Sequence, residues 1–369
     1  MKAIKIGTRY EIYDDSLKTF DSLPAKTYYV RFGKMTGFFL EERPDLGVGE
    51  KIYGVHPEKA DKVLSAFSQF ERNLGVILSG NKGIGKSLFA RLLSSKAVEA
   101  GLPVIIVDKF IPGIAAYIES IEQEAVVLFD EFDKTFGGIK PGENEMDPQS
   151  GMLSLFDGIS QGKKLFVITC NDLHRLNDYL VNRPGRFHYH FRFDYPTPAE
   201  IREYLQDKMG SQYQDEIEKV VLFSRKVNLN YDCLRAIAFE LQCGDSFEKA
   251  IQDLNIINTR DEVYNITLHF SGGVTMSARY SLDLFDPEGM EFVELRDSSG
   301  RNLITVEFKP SDFTFIPGRE DMILPAQSCR LIYNDYYGEE AMEEAKKLKP
   351  EYLTVARAKS RSIHYAPAC

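Results

Sequence analysis

The stretch "GNKGIGKS", Gly80 to Ser87, constrains this chain more than any other. It follows the apolar run "LGVILS" and opens "KSLFARLLSSKAVEAG", whose spacing predicts a helix ending at Gly101. A run of the form G-x-x-x-x-G-K-[ST] between a strand and a helix builds a loop whose backbone N–H groups turn onto phosphate oxygens. The positive end of the helix dipole lies behind them. Gly83 and Gly85 let the backbone wrap. Lys86 is placed to contact β- and γ-phosphates, and Ser87 to ligate Mg²⁺. The expected nucleotide contacts here are Gly80, Asn81, Lys82, Gly83, Ile84, Gly85, Lys86, Ser87 and the next residue, Leu88.

The surrounding pattern agrees with that setting. "PVIIVDK", "AVVLFDE", "KKLFVITC" and "HYHFRF" read as further strands, with helical stretches "PGIAAYIESIE" and "GMLSLFDGIS" among them. Short apolar strands alternating with helices predict a parallel sheet covered on both faces. The strand in "AVVLFDEFDK" ends in Asp130 and Glu131. Asp130 is placed to hold Mg²⁺, and Glu131 to orient and deprotonate an attacking water. On its own the pair reads as an acidic strand end; beside the phosphate loop it favours hydrolysis. "LFVITCND" ends in Asn171, a neutral amide that can position water at a γ-phosphate or simply make a turn.

Composition narrows the remaining classes. The net charge of −10 disfavours non-specific binding to DNA or anionic membranes. The segment 346–369 alone is locally basic, either a solvated tail or a site for an acidic partner. Five scattered cysteines without CxxC spacing predict neither a disulfide framework nor a zinc site. The start lacks an apolar signal core, and no apolar run approaches the ~20 residues that span a bilayer. The expectation is a soluble protein of the cytoplasm with no membrane partner. His188 and His190 alternate along a strand and read as packing residues.

The chain divides by pattern into a small β-rich piece (1–50), the α/β region (51–196), a four-helix region (197–256), a C-terminal β module (257–335) and a basic tail (336–369).

The motifs "GNKGIGKS", "LFDEFD", "SLFDGIS", "FVITCND" and "LNDYLVNRPGRFHYHF" together resemble the AAA+ ATPases, and within them the AAA family proper, over residues from about 50 to 255. The resemblance implies a five-stranded parallel sheet of order 5-1-4-3-2, a small helical lid, ATP with Mg²⁺, and a homo-oligomeric ring, hexameric by family habit. It implies that Arg183 and Arg186, on the rigid Pro184–Gly185 turn, act in trans as arginine fingers on a neighbour's γ-phosphate. "EKIYGVHP" resembles the segment along adenine, making Tyr53 and Gly54 candidates; a plain strand end is the alternative. Arg235 sits where relatives carry a second sensor, or is a helix-surface arginine.

One departure concerns the segment after the second strand, which is short. Its "KFIPG" (Phe110, Ile111, Gly113) approximates an aromatic pore loop or closes the sheet edge. The Gly-rich, acidic stretch 135–151 reads as a surface loop that could also face a pore or partner. The resemblance implies remodelling or translocation of a protein client. A nucleic-acid motor or loader and an ATP-dependent scaffold ring remain open. The flanking β modules suit a virus-encoded or specialised bacterial ATPase.

Overall fold

The computed structural model describes residues 1–47, 49, 51–54, 56–137, 147–157, 162–181, 183–256, 262–284, 289–315 and 321–358. Most of the acidic loop (138–146) and the end of the basic tail (359–369) lie outside them. The chain forms two compact units. The first contains residues 1–200 and 230–232, and the second 201–229 and 233–369.

The first unit opens with an antiparallel hairpin, β1 (Lys2–Ile6) and β2 (Arg9–Tyr13). Next come β3 (Thr27–Gly33), β4 (Gly37–Arg43), α1 (His56–Gln69), β5 (Leu74–Ser79), α2 (Lys86–Glu99), β6 (Val104–Val107), α3 (Ile114–Glu119) and β7 (Ala125–Phe129). Three short helices, α4 (Phe132–Thr135), α5 (Pro148–Gly151) and α6 (Leu153–Phe156), precede β8 (Lys164–Cys170) and β9 (Tyr189–Arg192). The strands make one mixed sheet of order β4-β3-β6-β7-β8-β5-β9. The five strands expected from the sequence therefore run β9-β5-β8-β7-β6, all parallel.

Residues 27–43 do not belong to a separate N-terminal piece. β3 pairs in parallel with β6, Thr27 opposite Val104, and β4 closes the edge antiparallel to β3. Tyr28 and Val30 are buried, and that burial secures the pairing. Of the first 50 residues, only the β1–β2 hairpin forms its own sheet.

Alternation along each strand explains the two cores. In β5, Val76 and Leu78 meet α1 and α2 through Val63, Phe67, Phe89 and Leu93. Ile77 faces the other side, with Val127, Phe129, Phe156, Ile168 and Phe187. That second core is phenylalanine-rich. Phe129 meets Phe132 and Phe156 edge-on, and Phe156 meets Phe187 at 5.0 Å. The end of β7 and the turn before β9 thus share one packed layer.

The second unit contains α7 (Pro198–Met209), α8 (Gln214–Phe223), α9 (Tyr231–Gln242) and α10 (Phe247–Asp253), although the first turn of α7 and of α9 falls within the first unit. They bury Leu205, Val220, Val221, Ile237 and Leu241. Then follow β10 (Glu262–Phe270), β11 (Thr275–Leu282), β12 (Glu291–Arg296), β13 (Asn302–Phe308), β14 (Thr314–Phe315), β15 (Met322–Pro325), β16 (Arg330–Tyr333), α11 (Glu339–Lys347) and β17 (Pro350–Arg357). Their order is β14-β15-β17-β10-β11-β12-β13-β16. The expected tail is therefore largely structural. β17 lies between β15 and β10, with Leu353 and Val355 fully buried, and Ala345 of α11 joins the same core. Helices and β module share a compact unit: Tyr264 Oη donates to the carbonyl of Lys226 at 3.1 Å.

Candidate active site

β5 is buried along its whole length and delivers the chain to Gly80. Gly80 has φ +141°, and a Cβ there would lie 2.3 Å from the carbonyl oxygen of Phe193, so only glycine fits. Gly85, at φ +99°, turns the chain into α2. Lys86 is the first residue of that helix and only 7% exposed. Its Nζ donates to the carbonyls of Gly80, at 2.7 Å, and Asn81. Burial lowers the Lys86 pKa, opposed by the negative charges of Asp133, Asp130 and Glu131. A buried ammonium on two neutral carbonyls is a cation for which an anionic phosphate is the stronger partner. Ser87 is exposed on the same turn. Asn81 and Lys82 are exposed, Gly83 and Leu88 half-buried, and Ile84 is core at 2% exposure.

His190 does more than pack. It lies across from Ile77, and its Nε2 is 2.6 Å from Ser79 Oγ, tying β9 to the last residue before the loop.

The acidic end of β7 is built around a residue that motif reading passes over. Thr169, on neighbouring β8 and 2% exposed, donates its hydroxyl to Asp130 Oδ1 at 2.7 Å. The Thr169 hydroxyl oxygen in turn accepts the backbone N–H of Glu131 at 2.8 Å. Its signal was a hydroxyl inside the apolar run "LFVITC". Among the described residues, Glu131 alone of the non-glycines has positive φ, at 47°. Left-handed backbone costs an L-residue about 1–2 kcal/mol; the Thr169 acceptor offsets it. Asn171 Nδ2 donates to Glu131 Oε1 at 3.4 Å, and Lys134 is ion-paired to the same carboxylate oxygen. The Lys134 hydrogen bond is the main cause holding the Glu131 pKa below the ordinary carboxylate value, with Asn171 adding to it. Glu131 is thus ionised at neutral pH, as a general base requires.

The turn "RPGR" treats its two arginines differently. Arg183 is exposed, its guanidinium 5.8 Å from the ring centre of Tyr179. Arg186 is 8% exposed and engaged within its own chain. Nε and Nη2 take both oxygens of Asp157, the latter at 2.7 Å, and Nη1 donates to the carbonyl of Tyr179 at 2.7 Å. Arg186 was expected to point outward; a bidentate carboxylate in "SLFDG" and the buried Phe187 beside it hold it inward. The Arg186 hydrogen bonds correspondingly lower the Asp157 pKa.

Tyr53 is 6% exposed and stacks on Tyr231 at 6.3 Å, while the Tyr231 N–H reaches the carbonyl of Gly83 at 3.1 Å. Gly54 follows at φ +75°. The adenine candidates thus adjoin the phosphate loop through Tyr231. Arg235 is exposed on α9, in the second unit. Phe110 is half-buried edge-on against Phe136, and Arg31 Nη1 holds Asp108 with both carboxylate oxygens at 3.1 Å. The loop after β6 is therefore fastened to the sheet by the added β3–β4 hairpin.

Ser87 and Asp130 offer the hard oxygen donors that suit Mg²⁺, which typically takes one or two protein oxygens and substrate phosphates. Among the described residues, no group of three or more His, Cys, Asp or Glu forms a metal site by itself.

Five parallel strands with a glycine loop at one strand end, two acids at another and an amide at a third define a P-loop nucleotide-binding core. The narrower assignment comes from relatives. Residues 76–195 match the family model "ATPase family associated with various cellular activities (AAA)", so the chain contains an AAA domain. An AAA-domain protein of the ATPase family from Arabidopsis thaliana is 29% identical over 154 residues, 36% of this chain and 12% of that one. The ATP-dependent zinc metalloprotease FTSH 9 of Oryza sativa subsp. japonica is 30% identical over 158 residues, covering 38% and 20%. The proteasome-associated ATPase of Frankia alni is 27% identical over 206 residues, covering 44% and 34%. The chain thus spans 12–34% of the length of these relatives. No helix among the described residues is long and apolar enough to cross a membrane.

Proposed function

We propose that this chain hydrolyses ATP at the interfaces of a homo-oligomeric ring, a hexamer by analogy with the family, and uses the cycle to remodel a protein client or assembly. The observation that carries the reading is the pairing of a complete hydrolytic half-site with an exposed, rigidly mounted Arg183. In that reading Lys86 and the loop amides bind the phosphates, and Tyr53 and Gly54 flank the base. Mg²⁺, held by Ser87 and Asp130, would supply charge neutralisation at the phosphates. Glu131 takes a proton from water as its oxygen attacks the γ-phosphorus. The bond to the ADP oxygen breaks, and Asn171 orients the water. Arg183 of a neighbouring copy stabilises the charge spreading over the γ-phosphoryl oxygens. Arg186 serves the same step from within its own chain, anchoring the turn on Asp157.

The packed Phe110 and the Arg31–Asp108 bridge favour remodelling without that loop gripping a threaded chain. Mixing supplies the test. Arg183→Ala and Lys86→Ala proteins should each be inactive, and their mixture should recover turnover through hybrid interfaces. A mixture that stays inactive, from a protein that remains monomeric with ATP in light scattering, refutes action in trans. Glu131→Gln should lose about 100-fold or more in turnover while retaining ATP, which makes it the form for capturing the client.

A further inference from the structure

Asp133, on α4 two residues after Glu131, is 2% exposed. One carboxylate oxygen, Oδ2, accepts the backbone N–H of Asp172 at 3.3 Å; the other, Oδ1, has no hydrogen-bond partner. A buried carboxylate with one free oxygen is costly, and in a native fold it demands an account. Its surroundings give one. The acceptor bond goes to the residue directly after Asn171, and Asn171 donates to Glu131. The chain therefore closes a loop: Glu131, the start of α4, Asp133, the Asp172 N–H, Asn171, and back to Glu131. Thr169, two residues earlier, fixes the backbone of Glu131 but does not reach Asn171. The negative charge of Asp133 also opposes the loss of the Lys86 proton, so the carboxylate belongs electrostatically to the phosphate site.

We propose that Asp133 is a positioning residue for hydrolysis, holding the Asn171 amide against Glu131 through the Asp172 N–H so that base and water-orienting amide move as one unit. It touches no reacting atom. The role rests on the ATPase reading above, and deepens it by assigning the third acid of "DEFD", which the sequence offers no reason to separate from a solvated acidic turn.

The test is a double-mutant cycle in the full-length protein, with turnover, ADP affinity and thermal unfolding measured for each form. Asp133→Ala should lower kcat about 10- to 100-fold, the scale of a displaced catalytic group, with ADP affinity and the unfolding transition close to wild type. Asp133→Asn keeps an acceptor for the Asp172 N–H and should restore most of the loss. In an Asn171→Ala background, Asp133→Ala should cost nothing further, because the group it positions is gone. Additive losses in the double variant, equal losses in Asp133→Asn and Asp133→Ala, or a fall in affinity and unfolding temperature in step with kcat each overturn the proposal. A wild-type protein without ATP turnover refutes the ATPase reading itself, an outcome distinct from any of these.

Discussion

Replacing Thr169 by valine tests the geometry of the site most directly, because one hydroxyl serves both acids. Valine keeps the shape and removes two hydrogen bonds: the 2.7 Å bond donated to Asp130 and the 2.8 Å bond accepted from the Glu131 N–H. A buried N–H left without an acceptor costs about 1–3 kcal/mol, and a bond to a carboxylate is worth about 1.5–3 kcal/mol. Asp130 is only half-buried, so water recovers part of the second loss. The added methyl returns about 0.8 kcal/mol of apolar burial. The net expectation is a destabilisation of about 2–4 kcal/mol in the first unit. At about 2–4 °C per kcal/mol, that moves its unfolding by about 5–15 °C. Because the chain has two compact units, calorimetry should follow the transition of the first unit rather than one melting point. Freed of its acceptor, Glu131 relaxes from its left-handed conformation, and a displacement near 1 Å costs about 100-fold in kcat. Nucleotide affinity should stay within about threefold, since no phosphate-loop atom is disturbed. Thr169→Ser, which keeps the hydroxyl, should retain most of the turnover. If Thr169→Val turns over at the wild-type rate, or Thr169→Ser fails equally, the hydroxyl does not set the Glu131 geometry.

Other perturbations reach different parts of the molecule. Asp157→Ala strands a guanidinium that is only 8% exposed; urea titration should show a loss of about 3–5 kcal/mol, and mixing with Lys86→Ala should no longer restore turnover. Lys164 is fully buried, with three backbone carbonyls on Nζ, and burial lowers its pKa to about 8. The unfolded chain keeps that proton up to about pH 10.4, so between pH 8 and that value it binds more protons than the folded chain. Stability from this group should therefore rise with pH across the window, by on the order of 3 kcal/mol at most. Lys164→Met should flatten the slope in denaturation curves measured from pH 7.5 to 10.5, and an unchanged slope counts against the assignment. Truncation after Asn334 removes β17 from between β15 and β10; the β module should then lose its cooperative unfolding transition, whereas an intact transition would mean that the strand is dispensable.

What was legible in the sequence shares one physical property: locality. The loop Gly80–Ser87, the acids at 130 and 131 and the amide at 171 each lie at a strand end whose apolar run announces itself, so chemistry and position are read together. Longer-range pairings were hidden. "TYYVRFG" reads as a strand of an isolated β piece, because nothing in seven residues names β6, more than seventy residues away, as its neighbour. "EYLTVAR" falls inside the stretch that reads as a basic tail, although Leu353 and Val355 alternate as an inner strand should. The same limit governs the site. Asp133 and Thr169 act through partners 38 or 39 residues distant, and in sequence they are an extra acid and one hydroxyl in an apolar run. The two arginines make the point most sharply. Arg183 and Arg186 stand three apart on one rigid turn, and their motif gives them the same role. What separates them is Asp157, 29 residues earlier, which takes the second guanidinium in a bidentate pair while Phe187 buries the turn beneath it. A motif specifies which chemistry a turn can offer; the distant carboxylate decides which arginine remains free to offer it.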